Sequence, residues 1–326
     1  MKSCLLLCLV LVVGLSEFVE GSGLKENFYE KSCPHAEEIV REITWNYVAN
    51  NVTLPPKFLR MHFHDCFVRG CDGSILIDST PNNTAEKAAV PNLSLAGFGI
   101  IDDIKAQLEE ICPGVVSCAD ILALVARDSV SFQYKKPLWE VPTGRRDGTV
   151  SNVSEVLLNI PSPFFNFTLL ELFFARKNLT VQDIVVLSGA HTIGVGHCAF
   201  FSNRLYNFTG KDNPSDTDPS LNKKYLAFLK TKCKSLADNT TVVPMDPGSS
   251  TSFDNHYFKI LEHHEGLFQS DAALLTNKDS VKFVQEMLDS DNFFSEFRVS
   301  IKKMGEIGVL TGTAGEIRKK CNVVNH

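Results

Sequence analysis

Positive charge is not in excess in this chain: 32 lysines and arginines stand against 38 aspartates and glutamates, for a formal net charge of −6. Without a basic stripe to hold a phosphate backbone, no nucleic-acid partner is expected. The ten cysteines include no CxxC pair, which weighs against a zinc site. Past the N-terminal segment no stretch approaches the ~20 apolar residues of a transmembrane helix, so the protein is not expected to span a membrane. Repeats and low-complexity tracts are absent as well, and none of the polar loops reads as a flexible linker. A single domain with two lobes, over residues 24–326, fits better than two independent domains. Strand signals are few, and the short "LWEV" around Trp139 is the best of them.

What is present describes a water-soluble globule with a substantial core, 44% hydrophobic and 21% charged. Lys2 is followed by the apolar run "CLLLCLVLVVGL" and then by small and polar residues around Gly21, Ser22 and Gly23. This reads as a signal peptide over residues 1–23, and hence as a secreted protein. Cys4 and Cys8 fall within it, leaving Cys33, Cys66, Cys71, Cys112, Cys118, Cys198, Cys233 and Cys321. An even number in an oxidising compartment implies disulfides, but spacing alone supports only the local pair Cys66 and Cys71. Glycosylation sequons at Asn51, Asn82, Asn92, Asn152, Asn166, Asn178, Asn207 and Asn239 fit the same compartment.

Helical periodicity dominates, so the fold class is mainly α. One helix follows Ser32 as N-cap in "CPHAEEIVREITWNYVAN", with Pro34 near its first turn, and another follows Ser117 in "SCADILALVARDSV". Further helices are expected near 169–177, 193–206, 221–236, 281–288 and 293–307. Loops rich in Pro, Gly, Asn and Ser are expected at 78–92, 141–154, 209–220 and 243–252.

The densest chemistry lies in "FLRMHFHDCFVRGCDGS". Read as a helix, its first part sets Arg60 and His64 one turn apart with Phe63 alongside, while His62 points elsewhere. An imidazole beside a fixed guanidinium suits proton removal with stabilisation of developing negative charge, although a helix-face histidine is more often structural. Asp65, Asp72 and Ser74, spaced by Gly70 and Gly73, then offer hard oxygens of the kind calcium takes; a solvated acidic turn is the plain alternative. A second histidine, His191, follows a buried helical run in "DIVVLSGAHTIGVGHC", with Thr192 next to it. Downstream, "MDPGSSTSFDN" brings Asp246, Ser249, Ser252 and Asp254, and "EGLFQSD" ends in Asp271. Each of these alone is compatible with ordinary packing. A metallohydrolase built on "HFHD" is disfavoured because histidines two apart diverge on a helix.

Taken together, "LRMHFHDCFVRGCDGSILID", "VSCADILALVARDSV", "GRRDG", "VVLSGAHTIG", "FDNHYF" and "IGVLTGTAGEIR" resemble, in order and spacing, the class III secretory plant haem peroxidases. The resemblance runs from "FYEKSCP" at Phe28 to Cys321. It implies a two-lobed helical fold with one haem b between distal and proximal lobes. It further implies an extracellular enzyme, expected as a monomer, that reduces hydrogen peroxide and oxidises small phenolic donors in one-electron steps through a ferryl haem intermediate. By the same resemblance His64 is the distal base, Arg60 its electrostatic partner, and Asn92 the amide that takes the other ring proton of His64. Phe63 screens the iron-bound oxygen, and donors approach the haem edge near Pro161. His191 is the proximal iron ligand and Asp271 accepts its N–H.

Two calcium sites are also implied. The distal one uses Asp65, Val68, Gly70, Asp72 and Ser74, with Glu86 reached through water; the proximal one uses Thr192, Asp246, Ser249, Ser252 and Asp254. Implied disulfides pair Cys33 with Cys112, Cys66 with Cys71, Cys118 with Cys321 and Cys198 with Cys233. The chain departs from the family's pattern at Ala96, where arginine is usual, at Lys135 and Lys136, where a Gly-Gly pair is common, and at Ser249 in place of threonine. Asn92 is both a sequon and the implied partner of His64, and the hydrogen-bonding role is favoured. The competing reading is an inactive, calcium-stapled structural glycoprotein on the same scaffold, which loss of His64, Arg60 or His191 would favour; all three are present.

Overall fold

A computed structural model of the chain describes residues 23–211, 213 and 215–325. The signal peptide expected over residues 1–23 lies outside them, save Gly23. Among the described residues thirteen α-helices and one two-stranded sheet are formed, which makes the protein mainly α. No helix among them is long and apolar enough to cross a membrane.

The first four helices build the scaffold beneath the histidine-rich segment. Helix α1 (Ala36–Asn50) buries Ala36, Val40, Thr44 and Val48, one position per turn. Helix α2 (Leu54–Val68) opens on Pro55 and Pro56, whose fixed φ and missing N–H suit a first turn. Helix α3 (Phe98–Ile111) buries Ile101, Ile104, Lys105 and Leu108 on one side. Helix α4 (Cys118–Ser131) is buried along its whole length. Its N-terminus is satisfied by Ser117, whose side chain accepts from the Asp120 N–H as expected. A helix buried on every side belongs at the centre, its Asp120, Arg127 and Asp128 held in ion pairs, and α1, α2 and α3 pack around it.

The remaining helices are shorter: α5 (Val153–Asn159), α6 (Phe167–Ala175) and α7 (Val181–Ser188). A capping box between Thr180 and Asp183 starts α7. A 3-10 turn, Gly189–Thr192, carries His191 directly off its end. Then come β1 (Val195–His197), α8 (Ser202–Tyr206), α9 (Lys223–Lys232) and β2 (Val242–Pro244). The last four are α10 (His256–Glu262), α11 (Gln269–Ala273), α12 (Lys278–Glu286) and α13 (Ser290–Met304). Phe253, Phe258, Phe293 and Phe297 interlock edge to face or tilted where α10 meets α13, at centroid distances of 4.9 to 5.7 Å. A smaller core of Phe201, Leu205, Tyr225, Leu229, Val243, Met245 and Leu267 sits under the sheet.

Several expectations are corrected. Ser32 does not cap α1: its N–H closes a turn on the Tyr29 carbonyl, and the helix begins at Ala36 after His35, which supplies no side-chain cap. The helix expected over 193–206 survives only as α8. Gly194 takes a φ of +98°, and β1 pairs antiparallel with β2, Val195 opposite Pro244. A Cβ at Gly194 would lie 2.9 Å from Pro56, so the local chain path needs glycine twice over. β2 in turn lies partly within the loop expected over 243–252. "LWEV" is no strand. Its apolar spacing anchors Trp139 against Phe297, ring centroids 5.7 Å apart. The helices α3, α5, α10 and α11 have no counterpart among the expected ones.

Disulfides join Cys33 to Cys112, Cys66 to Cys71, Cys118 to Cys321 and Cys198 to Cys233. The first ties the segment before α1 to the end of α3, and the second closes the turn after α2. The third brings the C-terminal segment to the start of α4 across 203 residues. Lys135, at a Gly-Gly position of the family, takes a left-handed φ of +56° and lays its ammonium over the Phe132 ring.

Candidate active site

On α2, His64 is buried and its Nδ1 lies 2.5 Å from Asn92 Oδ1. The amide cannot be turned round, because Asn92 Nδ2 donates to the Glu86 carbonyl at 2.8 Å. Asn92 therefore offers its oxygen to His64, Nδ1 carries the proton, and Nε2 keeps its lone pair. Burial, followed by the charge of Arg60, holds the imidazole well below its ordinary pKa against the opposing pull of Asn92. Asn92 itself is 2% exposed, so a glycan on it would have to displace this contact.

Arg60, one turn before His64, is anchored by Nη1 donating to Ser94 Oγ at 2.9 Å and Nη2 donating to the Pro91 carbonyl at 2.7 Å. Burial lowers it to about 10, which leaves the guanidinium charged at neutral pH. Phe63 meets His64 edge-on at 5.3 Å and also packs edge to face on Phe67, which reaches Phe174 on α6. His62 has a different environment: its ring nitrogens lie 3.6 and 3.9 Å from Cys66 Sγ, and burial with nearby Arg145 drops it to about 3.

Beyond α2 the chain folds its acidic residues inward. Asp65 accepts from the Gly73 and Ile75 amides, and Asp72 from the Ser74 amide. Burial and the charge of Asp72 push the Asp65 carboxyl well up. Burial pushes Glu86 up to about 8. Both Glu86 oxygens and Ser74 Oγ are buried with no hydrogen-bond partner. Gly70, at φ +104°, lets this turn touch Gly308: a Cβ there would lie 2.5 Å from the Gly308 carbonyl. Lys177 Nζ stands 3.4 Å from the Val68 carbonyl. Among the described residues no three His, Cys, Asp or Glu side chains group as metal ligands; this cluster is mixed, of carboxylates, hydroxyl and carbonyls.

His191 sits on the 3-10 turn after α7. Its Nδ1 donates to Asp271 Oδ1 at 2.7 Å, and no hydrogen bond engages its Nε2 among the described residues. Asp271 is buried at α11 and also accepts from the Tyr257 hydroxyl at 2.8 Å and the Phe268 amide at 2.7 Å. Burial alone raises its carboxyl, but His191 and these donors hold it below the usual range, so it is ionised and can only accept. The loop of Pro161 lies near: Pro163 O accepts from the Ser270 amide at 3.0 Å.

Next to His191, Thr192 Oγ1 lies 3.3 Å from Asp246 and 3.1 Å from Asp254, and Ser249 Oγ donates to Asp254 at 2.5 Å. Ser252, exposed, joins only through its amide to the Ser249 carbonyl. His256, which sequence reasoning did not single out, puts Nδ1 2.6 Å from Asp246 Oδ1. Tyr257, Ser94 and Phe268 were missed in the same way. Tyr257 and His256 do lie inside the "FDNHYF" motif, but no local pattern names their partners.

Known proteins settle the class. The family model described as Peroxidase matches residues 40–290. Peroxidase 27 of Arabidopsis thaliana is 54% identical over 99% of this chain and 99% of its own length. Peroxidase 56 of Arabidopsis thaliana is 53% identical over 99% and 98%, and Peroxidase 1 of Oryza sativa subsp. japonica 51% over the whole of both chains. The chain belongs to the peroxidase family, as a class III plant haem peroxidase. It is an enzyme whose oxidant is hydrogen peroxide. The residues present fit the haem this implies: an imidazole tethered through Nδ1 to a buried carboxylate leaves Nε2 for a metal.

Proposed function

We propose that this protein is an extracellular peroxidase in which His64 is the acid–base catalyst, Arg60 its electrostatic partner and His191 the iron ligand. Small phenols are the reducing substrates, oxidised one electron at a time. The single observation that carries the reading is the relay from the Glu86 carbonyl through Asn92 to His64, which forces a free lone pair onto the catalytic nitrogen.

Bound haem supplies the redox centre at which the O–O bond of peroxide is broken and to which donors deliver electrons. His64 Nε2 takes the proton from one peroxide oxygen and returns it to the departing one, so that water leaves rather than hydroxide. The low basicity of the buried imidazole keeps it unprotonated before the reaction. Arg60, held by Ser94 and Pro91, stabilises negative charge as it develops on the departing oxygen. Phe63 keeps bulky donors from the distal face, and donors approach by the loop at Pro161. On the other side Asp271 raises the basicity of His191.

Two calcium ions belong to the same reading. Buried oxygens of Glu86 and Ser74 without partners, beside the raised carboxyl of Asp65, support this part of the reading, because a hard cation would satisfy them. The oxygens of Val68, Gly70 and Asp72 complete that distal set. Thr192, Asp246, Ser249, Ser252 and Asp254 form the second, with Ser249 keeping the hydroxyl of the usual threonine. A signal peptide, four disulfides and exposed sequons at Asn51, Asn82, Asn166, Asn178 and Asn239 support secretion of a glycosylated, monomeric single domain over residues 24–326.

The test is a visible absorption spectrum of the secreted protein with haem and calcium, before and after one equivalent of hydrogen peroxide. The Soret band should shift and then recover on adding a phenol. A folded protein whose band responds to peroxide but does not recover with any phenol would overturn the donor assignment.

A further inference from the structure

We propose that Tyr257 is a positioning residue that sets how strongly Asp271 draws on the His191 N–H, and thereby how strongly the imidazole donates to the haem iron. The inference rests on the reading of His191 as iron ligand.

Two donors meet on one carboxylate oxygen. Asp271 Oδ1 accepts from His191 Nδ1 at 2.7 Å and from the Tyr257 hydroxyl at 2.8 Å, while Oδ2 is taken by the Phe268 amide. Both Asp271 and Tyr257 are buried, at 2% and 1% exposure, so water does not dilute the competition. Negative charge shared with the phenol is withdrawn from the bond to the imidazole, since a carboxylate oxygen that gives more to one donor gives less to the other. The Tyr257 ring also stands edge-on to His191 at 5.9 Å and to Phe258 at 5.2 Å. Phenylalanine would fill that space equally well. What tyrosine adds is an O–H that donates to Asp271, its one partner among the described residues, and a buried site tolerates such a polar group only when it is bonded.

Removing the hydroxyl concentrates the charge of Asp271 on the N–H of His191. The imidazole gains imidazolate character, which stabilises the ferric over the ferrous state. Tyr257→Phe in the haem- and calcium-loaded enzyme should therefore move the Fe(III)/Fe(II) equilibrium roughly three- to tenfold toward ferric, tenfold being ~59 mV for one electron. The iron–imidazole stretch of the ferrous protein, read by resonance Raman, should rise. Incorporation of 3-fluorotyrosine at position 257, a stronger donor of the same shape, should move both readouts the other way and serves if the phenylalanine variant folds poorly. A residue that merely packs would change melting temperature and leave potential and stretch in place, and that result would overturn the proposal. Absence of any iron–imidazole stretch in the unsubstituted ferrous protein would instead remove the axial-ligand reading, and the proposal with it.

Discussion

At the scale of single residues, the site works by fixing which nitrogen of each histidine is free. Asn92 and Asp271 perform the same task for His64 and His191 by different chemistry, an amide held by a carbonyl and a carboxylate held by three donors. Asn92→Ala should leave haem bound, release the His64 ring, and slow peroxide reduction; stopped-flow rates at unchanged haem content would check it, and an unaltered rate would detach Asn92 from the mechanism. The depressed basicity of His64 has a pH signature. Activity should persist below about pH 6.5, the ordinary histidine value, and fall only in more acid solution, whereas a midpoint at that value would contradict the buried, neutral imidazole. The sign for stability is the same: an imidazole whose folded pKa is depressed contributes stability above its unfolded value that is lost as pH falls, and His62, at about 3, adds to the loss. Arg60 and His64 were readable from their spacing on one helix. Tyr257 and His256 were not, because their partners Asp271 and Asp246 lie 14 and 10 residues away and meet them only through the fold.

At the scale of elements, α4 was legible almost to the residue because capping and composition agree: Ser117 accepts from the Asp120 N–H, and the run behind it opens on the apolar stretch Ile121 to Ala126. Ser117→Ala should cost about 1 kcal/mol, measurable by denaturant unfolding. Segment 193–206 misled for an equally physical reason. Its apolar spacing fits a helix, but Gly194 and a pairing partner far down the chain, Val243 opposite Gly196, make its first part a strand. Strand pairing is non-local and leaves no mark on a window of neighbours. The turn after α2 is where the proposed distal calcium can be tested. Without calcium, Glu86 is raised to about 8, so the chelated protein loses stability as pH climbs from its ordinary value of 4.5 through that range. Chelation should therefore lower Tm far more near pH 8 than near pH 5; equal shifts at both would count against Glu86 and its neighbours as the source.

For the whole molecule, a crosslink and buried hydrogen bonds hold the C-terminal segment to the helical centre. Cys118–Cys321 closes the longest loop. Beside it, Arg318 Nη2 donates to the Gly73 carbonyl and Nη1 to the Cys321 carbonyl, fastening the C-terminal segment to the turn after α2. Replacing both Cys118 and Cys321 by Ala should cost roughly 2–5 kcal/mol and loosen the distal turn, so that calcium affinity falls with stability. Calorimetry with and without calcium separates the two effects. The family was legible in the order of its motifs because that order is a property of the whole chain, while any one motif was compatible with ordinary packing.

The central claim is that His64 is the proton carrier for peroxide cleavage. The most direct measurement is the rate at which one equivalent of hydrogen peroxide changes the Soret band of the haem-loaded protein, with and without His64→Ala, by stopped flow. The account predicts an intact resting band and a rate lowered by more than the ~10² to 10⁴ usual for acid–base catalysis. A variant that binds haem and reacts at near the original rate would contradict it.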